Sequence, residues 1–141
     1  MSKTGPVILI DDDQDDEEIF RTALKELKVE NEFIWFSNTA DALVFLQEMT
    51  GQPFVIFCDV NMPKQSGLEF KREIDDHPLL RKKSIPFIFY STSADKKLVT
   101  EAYNQTTIQG FFRKEHSYTA ILAKLKAIID YWMICEHPSN Y

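Results

Sequence analysis

The sequence is poor in the residues that mark several specialised classes of protein. It has two cysteines and four glycines in 141 residues, so neither a disulfide framework nor a glycine-rich linker is indicated, and we expect both thiols to be reduced. No apolar run approaches the roughly 18 residues that a membrane span needs, and the opening MSKTGP is too short and polar for a signal peptide. These absences predict a cytoplasmic protein that does not insert into a membrane.

Positive charge is also scarce. The 16 lysines and arginines are outnumbered by 22 aspartates and glutamates, which gives a net charge of −6. A nucleic-acid surface would show a basic patch or stripe instead. We therefore expect no nucleic-acid partner.

Five short apolar runs alternate with longer segments of helical period. Their length and their β-branched and aromatic content predict strands at Val7–Ile10, Phe33–Phe36, Phe54–Cys58, Phe87–Tyr90 and Ile108–Phe112. The first, third and fourth runs are apolar throughout, which is typical of parallel strands covered on both faces. The pattern predicts an α/β fold, a doubly wound (βα)5 three-layer sandwich, in a single domain over residues 1–141 with its core at about 7–132.

Polar residues follow four of the predicted strands. They are Asp11, Asp12 and Asp13 after the first, Asp59 after the third, Ser91 and Thr92 after the fourth, and Lys114 two residues beyond the fifth. Ligands of open α/β sheets bind beyond the carboxyl ends of the strands. We expect these side chains to meet at one edge of the sheet.

The chemistry of this set favours a divalent cation and a phosphoryl group. Carboxylates held close together need a compensating cation, and Mg2+ takes oxygen ligands, so Asp11, Asp12 and Asp59 form a candidate Mg2+ site. One of these carboxylates could also accept a phosphoryl group as an acyl phosphate. Lys114 would then offset phosphate charge and Ser91 would donate to a phosphate oxygen. The other acids, Asp13 and 15–18, suit the cap and first turn of a helix, where the helix dipole favours negative charge.

Two other acidic motifs compete for the same residues. Asp11, Asp13 and Asp15 fit the first positions of an EF-hand loop, but Asp16 and Thr22 stand where that loop needs Gly and Glu, which excludes it. Asp11 and Asp13 also resemble the DxD motif of dehalogenase-type phosphatases, with Asp11 as the nucleophile. That alternative stays open.

With Asp11 and Asp12, CDVNMPKQSGLEF around Asp59, IPFIFYSTSA and GFFRK, the chain resembles a response-regulator receiver domain of the CheY-like family, of the stand-alone type. The resemblance implies a five-stranded parallel sheet of order 2-1-3-4-5 and no output domain. It also implies a two-component phosphorelay in which a histidine kinase or histidine phosphotransfer protein is the phosphodonor and a further, unknown protein receives the signal. The domain would be no enzyme beyond its own phosphorylation and dephosphorylation.

The resemblance assigns roles residue by residue. Asp11, Asp12, Asp59 and the main-chain carbonyl of Asn61 would hold Mg2+, Asp59 would be the phosphoacceptor, and Lys114 would match the family's lysine. Ser91 and Phe111 would be the switch residues. Gly67 would open a helix with a left-handed backbone.

Some features depart from the family or leave alternatives. Thr92 is larger than the usual Ala or Gly, and Glu115 replaces the usual Pro after the lysine.

Tyr103, Phe111 and Tyr118 are candidates for the partner-binding face, and the domain would be a monomer or a phosphorylation-linked dimer. A pseudo-receiver that binds partners without phosphorylation remains an alternative, as does a non-signalling flavodoxin-like domain.

Overall fold

A five-stranded parallel sheet forms the centre of the computed structural model, which describes residues 3–136. Its strands lie in the order β2-β1-β3-β4-β5, with bounds β1 Val7–Ile10, β2 Phe33–Phe36, β3 Val55–Cys58, β4 Phe87–Ser91 and β5 Gly110–Arg113. This order confirms the predicted sheet. The fifth strand begins two residues later than predicted, at Gly110, and Ser91 is the last residue of β4 rather than the residue after it.

Helices cover both faces of the sheet. They are α1 Gln14–Glu26, α2 Thr39–Glu48, α3 Gly67–Asp76, α4 Pro78–Lys83, α5 Lys96–Gln105 and α6 Tyr118–Ile134. The short α4 was not predicted, because six residues are too few to show a helical period. It begins with Pro78 and is capped by the ring of His77, and Ser84 ends it with a left-handed backbone (φ 50°).

The core consists of two apolar layers, one on each side of the sheet. One layer packs against α2, α3, α4 and α5 and the other against α1 and α6. Neighbouring residues of a central strand belong to opposite layers: Ile56 lies in the first and Phe57 in the second. This two-sided burial explains why the central strands are apolar throughout.

Cys58 is buried and Cys135 half-buried, and neither forms a disulfide. Over residues 3–136, we find no helix whose length and hydrophobicity would let it span a membrane.

Candidate functional site

Three carboxylates meet at the carboxyl edge of the sheet. β1 and β3 are neighbours and pair Ile10 with Cys58, so the residues that follow them, Asp11 and Asp59, leave the sheet side by side. The amide of Asp59 donates to the carbonyl of Ile10 across 2.9 Å, which fixes this alignment. Asp11, Asp12 and Asp59 each offer one carboxylate oxygen within 4.8 Å of the others. The predicted grouping is confirmed in its geometry, and oxygen ligands at this spacing suit a hard divalent cation.

Lys114 supplies positive charge to this acidic pocket. Its Nζ lies 2.6 Å from Asp11 Oδ2, 2.6 Å from Asp16 Oδ2 and 3.1 Å from Asp59 Oδ2. An ammonium group has three donors, and all of them are directed at carboxylates. The side chain is 10% exposed, so these partners replace most of its water. The main chain holds the lysine in place, because its amide donates to the carbonyl of Ser91 across 2.9 Å.

The pKa values of Asp11 and Lys114 are both raised, for different reasons. Burial raises the pKa of Asp11 to about 7, and its hydrogen bonds with Lys114 and with the amide of Asp13 only partly oppose that effect. Burial alone would lower the pKa of Lys114, but its hydrogen bonds to Asp11 and Asp16 outweigh burial and raise it. The lysine is therefore a permanent cation in a pocket whose innermost carboxylate is costly to ionise.

Asp59 is held by two hydrogen-bond donors and remains partly exposed. Its Oδ1 accepts from the amide of Asn61 across 3.1 Å, and its Oδ2 accepts from Lys114. The side chain remains 10% exposed, compared with 1% for Asp11. Two donors therefore orient Asp59 while part of it stays open to a reactant.

The loops after β3 and β4 meet above the pocket. The side-chain amide of Asn61 donates to Ser93 Oγ across 2.8 Å. Ser91 is buried, and its Oγ accepts from the amide of Ser93 across 3.2 Å. The hydroxyl of Ser91 is thus engaged with its own loop, while Thr92 beside it is exposed.

Gly67 serves a different purpose from the one predicted. No glycine among the described residues has positive φ, so the left-handed conformation expected at Gly67 is wrong; the loop's left-handed residue is Lys64, with φ 69°. A Cβ at Gly67 would lie 2.4 Å from the carbonyl oxygen of Asp59. Glycine is required because α3 begins directly against the backbone of Asp59.

The remaining predicted residues lie on and around β5. Phe111 is half-buried, with its ring centroid 5.7 Å from that of Phe89. Tyr103 on α5 is 51% exposed and Tyr118 on α6 is 37% exposed. Glu115 pairs with Lys124 of α6 across 2.7 Å, so this charge is tied to the final helix.

Asp16 is a site residue that the sequence interpretation missed. Its sequence position predicts an interaction with the helix dipole, and it does lie in the first turn of α1, whose N-cap is Asp13. A signal was nevertheless present in the helical period. Asp16 precedes Phe20 by four residues and Ala23 by seven, so it belongs to the stripe of α1 that faces the core.

Comparison with known proteins agrees with this geometry. The response regulator receiver domain family matches residues 7–126. Response regulator Rcp1 of Synechocystis sp. is 25% identical over 132 residues, which cover 90% of this chain and 88% of Rcp1.

Solved structures show the same fold at lower identity. The phosphorylated cyanobacterial phytochrome response regulator RcpA has a TM-score of 0.82 at 23% identity, with 94% of this chain and 96% of that one covered. The Mn2+-bound form of Rcp1 has a TM-score of 0.79 at 23% identity, with the same coverage. The receiver domain of sensor histidine kinase PA1611 from Pseudomonas aeruginosa, with a magnesium ion in its active-site cleft, has a TM-score of 0.72 at 16% identity, with 91% and 96% covered.

The family match spans most of the chain, and the acidic pocket and the sheet order agree with it. Proteins of this kind are signalling modules that interact with histidine kinases and downstream effectors rather than enzymes with substrates of their own. The chain belongs to the response regulator receiver domains of two-component systems.

Proposed function

We propose that Asp59 accepts a phosphoryl group from a histidine kinase or a histidine phosphotransfer protein in a Mg2+-dependent step. The observation that carries this proposal is the environment of Asp59. It is a member of the three-carboxylate cluster, contacts Lys114 at 3.1 Å and keeps an exposed fraction of 10%.

The residues present fit a divalent cation. The candidate ligands are side-chain oxygens of Asp11, Asp12 and Asp59. The resemblance to receiver domains implies the main-chain carbonyl of Asn61 as a fourth. Such oxygen donors suit Mg2+ or Mn2+, the ions named for two of the structural relatives. A bound cation would offset negative charge on the transferring phosphoryl group.

The transfer needs little from the protein beyond position and charge. A carboxylate oxygen of Asp59 forms a bond to phosphorus while the phosphorus–nitrogen bond of the phosphohistidine breaks, and the electron pair of that bond stays on the imidazole. Lys114 provides the fixed positive charge beside the new acyl phosphate. Water later hydrolyses the acyl phosphate and regenerates the carboxylate.

We propose that the phosphorylated state is transmitted through Ser91 and Phe111. Ser91 Oγ would leave the amide of Ser93 for a phosphate oxygen, and the half-buried Phe111 would repack against Phe89. The face formed by α5, β5 and α6, with exposed Tyr103, would then bind a downstream protein or a second copy. Ser91→Ala should leave phosphorylation possible but abolish its effect on the Phe111 ring resonances.

The phosphatase alternative would require Asp11 as the nucleophile. Its side chain is only 1% exposed. This burial disfavours attack by Asp11 on a phosphate ester. A pseudo-receiver has normally lost one of the acidic residues or the lysine, whereas this pocket retains Asp11, Asp59 and Lys114.

Intact mass spectrometry after incubation with acetyl phosphate and Mg2+ tests the proposal. Wild type should gain one phosphoryl group, and both Asp59→Asn and added EDTA should prevent it. Asp15→Asn removes an exposed acid of the same stretch and should label normally. An adduct that persists in Asp59→Asn but disappears in Asp11→Asn would instead support the phosphatase alternative, and no adduct on wild type would support the pseudo-receiver.

A further inference from the structure

We propose that Asp16 is a positioning residue that holds the ammonium group of Lys114 to one side of the pocket, so that a divalent cation can bind at Asp11, Asp12 and Asp59. The inference rests on the proposed metal site. It assigns a role to a carboxylate that is not itself among the candidate ligands.

The distances distinguish Asp16 from the other partners of Lys114. Nζ lies as close to Asp16 as to Asp11, at 2.6 Å, and farther from Asp59, at 3.1 Å. Asp11 and Asp59 belong to the carboxylate cluster that suits a cation, whereas Asp16 lies outside it. When a cation engages Asp11 and Asp59, Asp16 is therefore the carboxylate that remains for the ammonium.

Charge and burial make such a partner necessary. Lys114 is 10% exposed, and an ammonium this deeply placed needs anionic or hydrogen-bonding partners in place of water. A divalent cation in the same pocket repels that ammonium strongly because little water screens the two charges. Asp16 offsets part of the lysine's charge without occupying a ligand position.

The fold fixes Asp16 in this place. It lies on the core-facing stripe of α1, one turn before Phe20, which is 1% exposed and packs edge-on against Phe57 with ring centroids 5.2 Å apart. The packing of α1 on the sheet therefore determines where the carboxylate lies. The side chain itself is 23% exposed, at the rim of the pocket.

Mg2+ affinity, measured by calorimetry, tests the inference in a double-mutant cycle. Asp16→Asn should weaken Mg2+ binding by about fivefold or more, while the matched control Asp15→Asn, an equal change of charge one residue away, should weaken it by less than about twofold. In a Lys114→Met background the effect of Asp16→Asn should fall to that of Asp15→Asn. Asp16→Glu should bind Mg2+ within about twofold of wild type because it retains the charge.

Several results would overturn the inference. Equal effects of Asp16→Asn and Asp15→Asn, or an Asp16→Asn effect unchanged by Lys114→Met, would show that Asp16 acts only through its general charge. Thermal melting of each variant checks the fold, and the comparison of Asp16→Asn with Asp15→Asn and Asp16→Glu decides the matter even if Lys114→Met is unstable. If wild type itself binds no Mg2+, both the proposed metal site and this inference fail, whereas binding with additive effects removes only the inference.

Discussion

Lys71 donates from Nζ to Asp75 Oδ1 across 2.6 Å, within α3 and away from the acidic pocket. The same ammonium contacts Thr107 Oγ1 at 3.1 Å and lies 5.3 Å from the centroid of the Phe87 ring. Asp75 in turn accepts from both the amide and the hydroxyl of Thr107. This network joins α3 to the segment that leads into β5, and its lysine is only 6% exposed.

Removal of Asp75 should be costly for this reason. Asp75→Ala leaves the buried Lys71 ammonium without its carboxylate, so we expect a loss of about 2–4 kcal/mol in the free energy of unfolding. Burial alone would raise the pKa of Asp75, but hydrogen bonds from Lys71 and Thr107 lower it, so its stabilisation is present above pH 3.8 and is lost as the pH falls below that value. Urea denaturation at pH 7 measures the effect, with the exposed Asp76→Ala as the control. Equal losses in the two variants would contradict the prediction.

Gly67→Ala should disturb both stability and the site. The added Cβ would lie 2.4 Å from the carbonyl oxygen of Asp59 and 3.0 Å from the Cα of Val60, and backbone atoms cannot move aside as a flexible side chain does. We expect a loss of about 1–3 kcal/mol and slower labelling by acetyl phosphate. Gly51→Ala is the matched control, because nothing lies within 4 Å of its Cβ position. Unchanged labelling in Gly67→Ala would contradict the prediction.

Strand positions and strand-end residues were predictable because buried parallel strands produce apolar runs and polar residues follow them. Asp11, Asp59 and Lys114 met as expected for that reason. The role of Asp16 was not predicted because Asp16 lies among several other acidic residues. Only its four-residue spacing from the core residue Phe20 indicates that it lies on the core-facing side of α1. The close contact at Gly67 depends on how the loop between β3 and α3 folds back on Asp59, which local sequence does not encode. Helix α4 was too short to show a period.

Asp11→Asn should stabilise the metal-free protein at neutral and higher pH. The pKa of Asp11 rises from its ordinary 3.8 to about 7 in the folded chain, so the folded state binds more protons between these values. Its contribution to stability therefore decreases as the pH rises from about 4 and reaches its minimum above about 7. We expect the free energy of unfolding of Asp11→Asn to exceed that of wild type by about 2–4 kcal/mol at pH 8 and to equal it near pH 4. A stabilisation independent of pH would contradict this account.

The same pKa predicts how cation affinity depends on pH. A divalent cation at Asp11 displaces the proton that this carboxylate holds below about pH 7, so the affinity for Mg2+ should fall as the pH is lowered, approaching about tenfold per unit. Trp35 provides the signal, because its indole donates to the main-chain carbonyl of Asp11 across 2.6 Å. Fluorescence titrations with Mg2+ at pH values from about 6 to about 8, a range that brackets the pKa of Asp11, measure how the affinity changes with pH.

Two variants separate Asp11 from other groups that titrate in this range. Asp11→Asn should bind Mg2+ weakly at every pH and lose the slope, because it has no proton to displace. Asp12→Asn also loses one candidate ligand, but it retains Asp11 and should keep the slope of wild type. A slope that persists in Asp11→Asn would assign the titration to another residue and would leave the buried Asp11 ionised throughout, held in that state by Lys114 at 2.6 Å.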